Sequence, residues 1–291
     1  MENVGSWTKR WIIVCGGTSG LGLQLVIAAA QQRANLVIIG RDLERLEVAK
    51  QVAMANGADS AAGYSIDLSL KFDSRVLNPS KVLNPSEGQD QLIFQEWLST
   101  HPVDLLINTI GRSDRGNLEQ LSDMALASMI NDNVICTWNM TRLALDSIKR
   151  ARGTIVNIGS LAGVVGAPGM GGYSVSKSAL TAMSRQLRLE LASSGVHVML
   201  VCPGPIARED SGSRYQKIAN ERGLTDKAAH LPGGGVKLRL IDPTVLCKKI
   251  LASAHLRQKE LIYPSKAKWL AAVANLWPNL ADWILKKYLR S

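Results

Sequence analysis

The segment Trp11-Ile-Ile-Val-Cys15 runs without a break into Gly16-Gly17-Thr18-Ser19-Gly20-Leu21-Gly22, and an apolar helix-forming stretch follows over 20–32. Strand, glycine turn and helix in direct succession form a phosphate-binding βα unit. Glycines permit the tight turn, let backbone approach a pyrophosphate and let the helix pack closely on the strand, while the helix N-terminus faces the phosphates. The G-x-x-x-G-x-G spacing draws its weight from that context, because glycines alone are a weak signal. The same rhythm continues along the chain. Apolar β-rich runs at 35–39, 63–66, 103–108, 153–158, 196–201 and 260–263 alternate with helix-length segments at 42–56, 89–100, 122–149, 173–194 and 242–255. Several runs are almost continuously apolar, as strands covered on both faces must be. The alternation predicts an α/β fold with a doubly wound parallel sheet of about seven strands in one domain. That domain spans 1–263 and is followed by a tail over 264–291.

A chain of 291 residues, 46% hydrophobic and 20% charged, is long enough to bury a sizeable core. It has no apolar run of membrane-spanning length and no charged-then-apolar leader, so a cytoplasmic protein is expected. Cys15, Cys136, Cys202 and Cys247 are scattered, with no Cys-x-x-Cys and no histidine cluster, which argues against disulfides and a metal site. The formal charge of +10 comes from dispersed residues rather than a basic tract, so nucleic acid is not expected as a partner. Such a surface favours phosphorylated cofactors, acyl carriers or anionic lipid headgroups instead. Two stretches break the alternation. Val-Leu-Asn-Pro-Ser occurs at 76–80 and again at 82–86, and reads as a surface insertion with turn chemistry. Residues 205–240, with Gly233-Gly234-Gly235 as a hinge, read as a lid over a site.

Chemistry enters with Tyr173 and Lys177, four residues apart in Tyr-Ser-Val-Ser-Lys, and with Ser160 thirteen residues upstream. On a helix, positions i and i+4 share a face, so phenol and ammonium point into the same space. A free tyrosine titrates near ~10, and a fixed cation beside it favours phenolate, moving it toward working pH. The serine hydroxyl shares the substrate oxygen. At the end of the second strand stands Ile39-Gly40-Arg41, with glycine where a ribose-binding acid is expected. Arg41 is suited to pair a 2′-phosphate, which favours NADP(H) over NAD(H). Asp42 reads as a helix cap. His197, alone on an apolar strand, reads as a packed residue rather than a catalyst.

Taken in order, these motifs resemble the short-chain dehydrogenase/reductase family over about residues 8–265. Gly16, Gly20 and Gly22, with Thr18, Ser19 and Leu21 between them, match its cofactor turn, although Cys15 replaces the usual threonine. Asp67 in Ile-Asp-Leu, with Leu68 after it, matches the acid near the adenine. Asn108-Thr109-Ile110-Gly111 stands for Asn-Asn-Ala-Gly, keeping Asn108 and Gly111. Asn133 matches the helix asparagine of the catalytic tetrad, completed by Ser160, Tyr173 and Lys177. Cys202-Pro203-Gly204, followed by Ile206, matches the turn beside the nicotinamide, while Arg208 stands where the family often has a carboxamide-binding threonine.

The resemblance implies a Rossmann-like fold and a redox reaction between ketone and secondary alcohol on a small molecule. Tyr173 is then the general acid in reduction, Lys177 its activator and a ribose ligand, Ser160 the holder of the substrate oxygen, and Asn133 the holder of a relay water. It also implies a homodimer or homotetramer paired through the helices at 122–149 and 173–194. The tail carries Trp269, Trp277 and Trp283, five Lys/Arg against one Asp over 261–291, and Pro278 dividing two short amphipathic helices. Such faces lie on a membrane surface or pack on a subunit. Related tails accompany lipid-like substrates of sphingoid-base, steroid or retinoid type. A β-ketoacyl-thioester reductase is the alternative enzyme, and a silent NADP(H)-binding sensor or scaffold is the alternative of another class. The retained Tyr173 and Lys177 speak against the last.

Overall fold

The structure is a computed structural model describing residues 6–69, 85–166, 169–208, 220 and 239–289. The first copy of the duplicated pentapeptide and most of the expected lid, Gly233–Gly235 included, lie outside the described residues. Seven strands form the sheet: β1 (Trp11–Cys15), β2 (Asn35–Gly40), β3 (Ser60–Ser65), β4 (Leu105–Asn108), β5 (Thr154–Ile158), β6 (His197–Pro203) and β7 (Glu260–Tyr263). Their order is β3-β2-β1-β4-β5-β6-β7, and every pairing is parallel. The helices are α1 (Gly20–Ala30), α2 (Leu43–Ala55), α3 (Pro85–Thr100), α4 (Asp123–Ile130), α5 (Cys136–Ala151), α6 (Gly171–Glu190) and α7 (Pro243–His255), followed by α8 (Ala267–Leu276) and α9 (Pro278–Leu289).

Alternation within the strands explains the continuous apolar runs. Ile12, Val14, Leu36, Ile38, Leu105, Ile107, Met199 and Val201 face one core with α1, α2 and α7. Ile13, Cys15, Val37, Ile39, Leu106, Ile155 and Val198 face the other, with α3, α5 and α6. With a side-chain period of two and helices on both sides, nearly every position of the central strands is buried on one face or the other, while edge strand β3 is only partly buried. Asp42 caps α2, accepting from Arg45 N at 3.1 Å. His197 opens β6 half-buried, its Nε2 2.9 Å from Gln258 O, with burial lowering its pKa. All four cysteines are free and buried.

One detail differs from the sequence expectation. The helix expected over 122–149 is interrupted by a π-helical turn at Asn131–Ile135. The tail folds as the two helices expected, with Pro278 at the start of the second, as its missing N–H permits. The inner face of α8 (Ala267, Leu270, Ala271, Ala274) packs on a small core containing Val165, Leu200, Cys202 and Ile262, so this face belongs to its own subunit. Trp269 and Trp277 point outward, 78% and 60% exposed.

Parallel pairing puts all strand C-termini on one edge. The strand order reverses between β1 and β4, where a ligand crevice opens in folds of this kind. Register sets Cys15 beside both Ile39 and Asn108, and Asn108 beside Asn157. The glycine turn, Arg41, the 109–111 turn, Ser160 and Gly204 therefore follow their strands along one rim.

Candidate active site

Glycine is required where the cofactor turn folds on itself. Gly16 has φ +82°, and a Cβ at Gly22 would collide with Gly16 O. The turn is anchored from both neighbouring strands. Gly16 N donates to Ile39 O at 2.8 Å, and Thr109 Oγ1 donates to Cys15 O at 2.7 Å. Thr109, standing where the family's second asparagine is expected, thus acts as a fastener between β4 and the turn. At the start of α1, Ser19 makes no side-chain cap bond and the first turn holds no acid. Its backbone amides face a site suited to phosphate. Leu21 packs against the core, holding the turn down.

At the end of β2, Gly40 packs so tightly on Thr18 that an added Cβ would lie 2.7 Å from its methyl carbon. Arg41 is exposed on the rim, and its carbonyl accepts from Ser65 Oγ at 3.0 Å. Asp67 caps its own turn, accepting from Ser69 N at 3.0 Å, and the carbonyl of buried Leu68 accepts from Asn139. These residues fit a dinucleotide.

The side chain of Asn108, expected at the cofactor, is turned into the core instead. Its Nδ2 donates to Asn157 Oδ1 at 2.9 Å and Thr141 Oγ1 at 3.3 Å, and Asn157 continues to Ser184. This polar chain ties β4 to β5 and onward to α6, beneath the site. Among the described residues Asn108 Oδ1 has no hydrogen-bond partner.

Lys177 is only 5% exposed. Its Nζ donates to Ile158 O at the end of β5, 2.8 Å away, and lies 6.0 Å from the Tyr173 ring centroid. Burial lowers its pKa to about 8, against a small opposing effect from Cys202. Ser160, immediately beyond β5, caps a short turn by accepting from Ala162 N at 3.2 Å. That turn is pressed onto α6, because a Cβ at Gly163 would lie 2.5 Å from the Lys177 carbonyl carbon, and Ser178 Oγ donates to Gly163 O. The structure thus brings Ser160, Tyr173 and Lys177 to one end of α6 and β5.

Asn133 sits fully buried in the π turn. Its Oδ1 accepts from Arg112 N at 2.8 Å, while Nδ2 donates to Arg112 O at 3.0 Å and Ser176 Oγ at 2.9 Å. Ser176 Oγ donates in turn to Tyr173 O. The asparagine side chain therefore fastens the loop after β4 to the tyrosine-bearing end of α6. Gly111 makes room for this, since a Cβ there would run into Asn133 Oδ1 and lie 3.2 Å from Lys177 Nζ. Sequence reading missed Ser176 and Thr109. A buried polar residue three positions after Tyr173 was the available signal for the first.

Pro203 ends β6 and Gly204 follows it, Gly204 N donating to Tyr263 O at 2.8 Å, and Ile206 bridges to Ile241. Arg208 follows on the rim beside the glycine turn: a Cβ built on Gly20 would lie 3.1 Å from one of its terminal nitrogens.

Comparison with known proteins agrees with this geometry. The short chain dehydrogenase family model matches residues 84–218. The assigned ketoacyl reductase of the monensin polyketide synthase from Streptomyces virginiae is 32% identical over 243 residues, covering 78% of this chain and 84% of that one. The ketoacyl reductase HetN of Nostoc is 31% identical over 202 residues, covering 69% of this chain and just 65% of its own length. Among solved structures, an L-sorbose reductase from Gluconobacter frateurii, complexed with NADPH and L-sorbose, has a TM-score of 0.70 at 16% identity, covering 88% of this chain and 95% of that one. The chain belongs to the short-chain dehydrogenase/reductase family, whose fold binds NAD(P) and whose members are oxidoreductases acting on alcohol and ketone groups.

Proposed function

From that membership we propose that the protein is an NADP(H)-dependent reductase interconverting a ketone and a secondary alcohol on an apolar, lipid-like substrate. The reading rests on buried Lys177 beside Tyr173, at the rim where the glycine turn lies. Bound nicotinamide supplies the hydride. Tyr173 gives the phenol proton to the carbonyl oxygen as the carbon is reduced, and Ser160 Oγ holds that oxygen by donating to it. Protonated Lys177 stabilises the phenolate left behind. Asn133 is a positioning residue here: its side-chain bonds are spent on Arg112 and Ser176. For the cofactor, the exposed Arg41 guanidinium and the side-chain-free Gly40 favour a 2′-phosphate over an acid-gripped ribose.

An apolar substrate is supported by the wall next to Ser160. Leu161, Val164 and Val165 join Leu270 and Ala274 of α8 in one apolar cluster. We place the outer face of α8 and α9 on an anionic lipid surface, and the contact of a homodimer or homotetramer on α4–α6, where Leu189 is 75% exposed. No described helix is long and apolar enough to cross a membrane. A second reading, reduction of β-ketoacyl thioesters, is favoured by two relatives named ketoacyl reductases and by the net charge of +10, which suits an acidic carrier.

NADPH consumption measured against sphingoid-base, steroid and retinoid ketones and against β-ketoacyl thioesters separates the two. The apolar ketones are expected to turn over, with Tyr173→Phe abolishing turnover and leaving NADPH affinity nearly intact. Reduction of thioesters alone would transfer the assignment to the second reading. Comparable turnover by Tyr173→Phe would sink the proton-donor role.

A further inference from the structure

We propose that a cavity at the sheet edge opposite the active-site rim binds a small phosphorylated molecule. It measures about 280 Å³ and lies where β1, β4 and β5 begin and the chain turns into β7. Arg10, Arg152 and Arg257 line it, with Trp7, Asp104 and Thr154 among its other residues. Trp7 and Thr154 are buried, and Trp7 Nε1 donates to Leu251 O on α7 at 3.1 Å. β5 separates the cavity from the catalytic groups. Thr154 opens that strand here, and Ile158, whose carbonyl holds Lys177, closes it at the other end. The volume is many times a water's share of ~30 Å³, which leaves room for a phosphate with an organic portion.

Backbone and charge point the same way. Arg152 and Arg257, at the ends of α5 and α7, hold left-handed conformations with φ of 48° and 51°. Glycine is the relaxed residue there, and Gly57 and Gly195 fill the role in the turns before β3 and β6. Arg33 fills it before β2, but is paired with Asp59 at 3.8 Å. The helix ends do not call for the arginine side chains. Gly153 N donates to Ile148 O and Gln258 N to Ser253 O, each at 2.9 Å, so main-chain groups close both helices. Among the described residues neither Arg152 nor Arg257 is paired with a carboxylate. Arg257 is held by two uncharged acceptors, the carbonyls of Gly195 and Arg152, and the stem of Arg152 lies across Gly195. Asp104 is already engaged, Oδ1 accepting from Arg10 Nη1 at 2.8 Å and Oδ2 from Trp11 N at 2.9 Å. Against three guanidiniums stand that carboxylate and two helix C-termini of roughly half a negative charge each. Positive charge is left over in one concavity, and phosphate oxygens match the guanidinium fork.

Calorimetric titration of the full chain with ribose 5-phosphate and with inorganic phosphate, against sodium chloride at matched ionic strength, tests this without recourse to turnover. Ribose 5-phosphate is expected to bind saturably and more tightly than inorganic phosphate, and to do so equally well when NADPH is present. Arg152→Gly is expected to weaken it about 10-fold, through loss of a charge-assisted hydrogen bond. The melting temperature of that variant without ligand is not expected to fall, because glycine adopts this backbone without strain. Heats no larger than those of sodium chloride would overturn the proposal. So would an affinity unchanged by Arg152→Gly, which would leave the arginine a helix-end cation only. Binding of inorganic phosphate alone would reduce the cavity to an adventitious ion site and overturn it as well. Loss of ribose 5-phosphate binding on addition of NADPH would place the phosphate at the glycine turn instead, and the distal site would be refuted while the reductase reading stood.

Discussion

Lys177 is a cation that the fold holds at some cost. Its pKa is lowered to about 8 by burial, so between about pH 8 and the ordinary value of 10.5 the unfolded chain binds a proton that the folded chain has released. The penalty on the folded state is fully present below about pH 8 and is relieved as pH rises toward 10.5. The melting temperature of the wild type relative to Lys177→Met is therefore expected to rise across that window, measured without cofactor. An unchanged difference between pH 7.5 and 10 would show that Lys177 titrates normally. The i, i+4 spacing made Tyr173 and Lys177 legible as a pair, because helical geometry follows from sequence position alone. What lowers the lysine was not legible: the glycines at 111 and 163 let other segments close around it, and that closeness depends on strands far apart in the chain.

Where a single helix was expected over 122–149, α4 and α5 meet instead at the π turn carrying Asn133. A hydrophobic period cannot reveal one extra residue in a turn, and such bulges tend to mark functional positions. The turn is stitched by hydroxyls that bond back to carbonyls four residues earlier, Thr137 to Asn133 and Thr141 to Thr137. Replacing Asn133 with Ala would leave both main-chain polar groups of Arg112 and the Ser176 hydroxyl without these partners. Chemical denaturation is expected to show a loss of about 2 kcal/mol or more, from the desolvation cost of buried polar groups. A change under about 0.5 kcal/mol would mean that water replaces the side chain without penalty. The strands, by contrast, were read within a few residues of their observed bounds, the central ones because burial on both faces leaves an apolar run that no neighbouring segment imitates. The tail was legible as two helices, but not which of their faces the subunit keeps.

At the scale of the whole molecule, the two faces of the tail have separate surroundings. The inner face of α8 closes the apolar cluster behind Ser160, and the outer face presents Trp269, Leu276, Trp277 and Leu280. Trp269→Ser combined with Trp277→Ser is expected to abolish co-sedimentation with anionic liposomes while leaving the melting temperature within about 1 °C, because exposed substitutions rarely alter stability. Undiminished sedimentation would exclude this face as the lipid contact. The parallel sheet has a further consequence. β1 pairs with both β2 and β4, and the rim takes residues from the ends of β1, β2, β4, β5 and β6, so the nucleotide pocket has no local precursor in the chain. A dinucleotide that binds only the completed pocket shifts the folding equilibrium in proportion to the logarithm of its concentration. The abundance of this protein in a cell would then follow the size of the nicotinamide pool, with enzyme left empty the first to be lost to proteolysis.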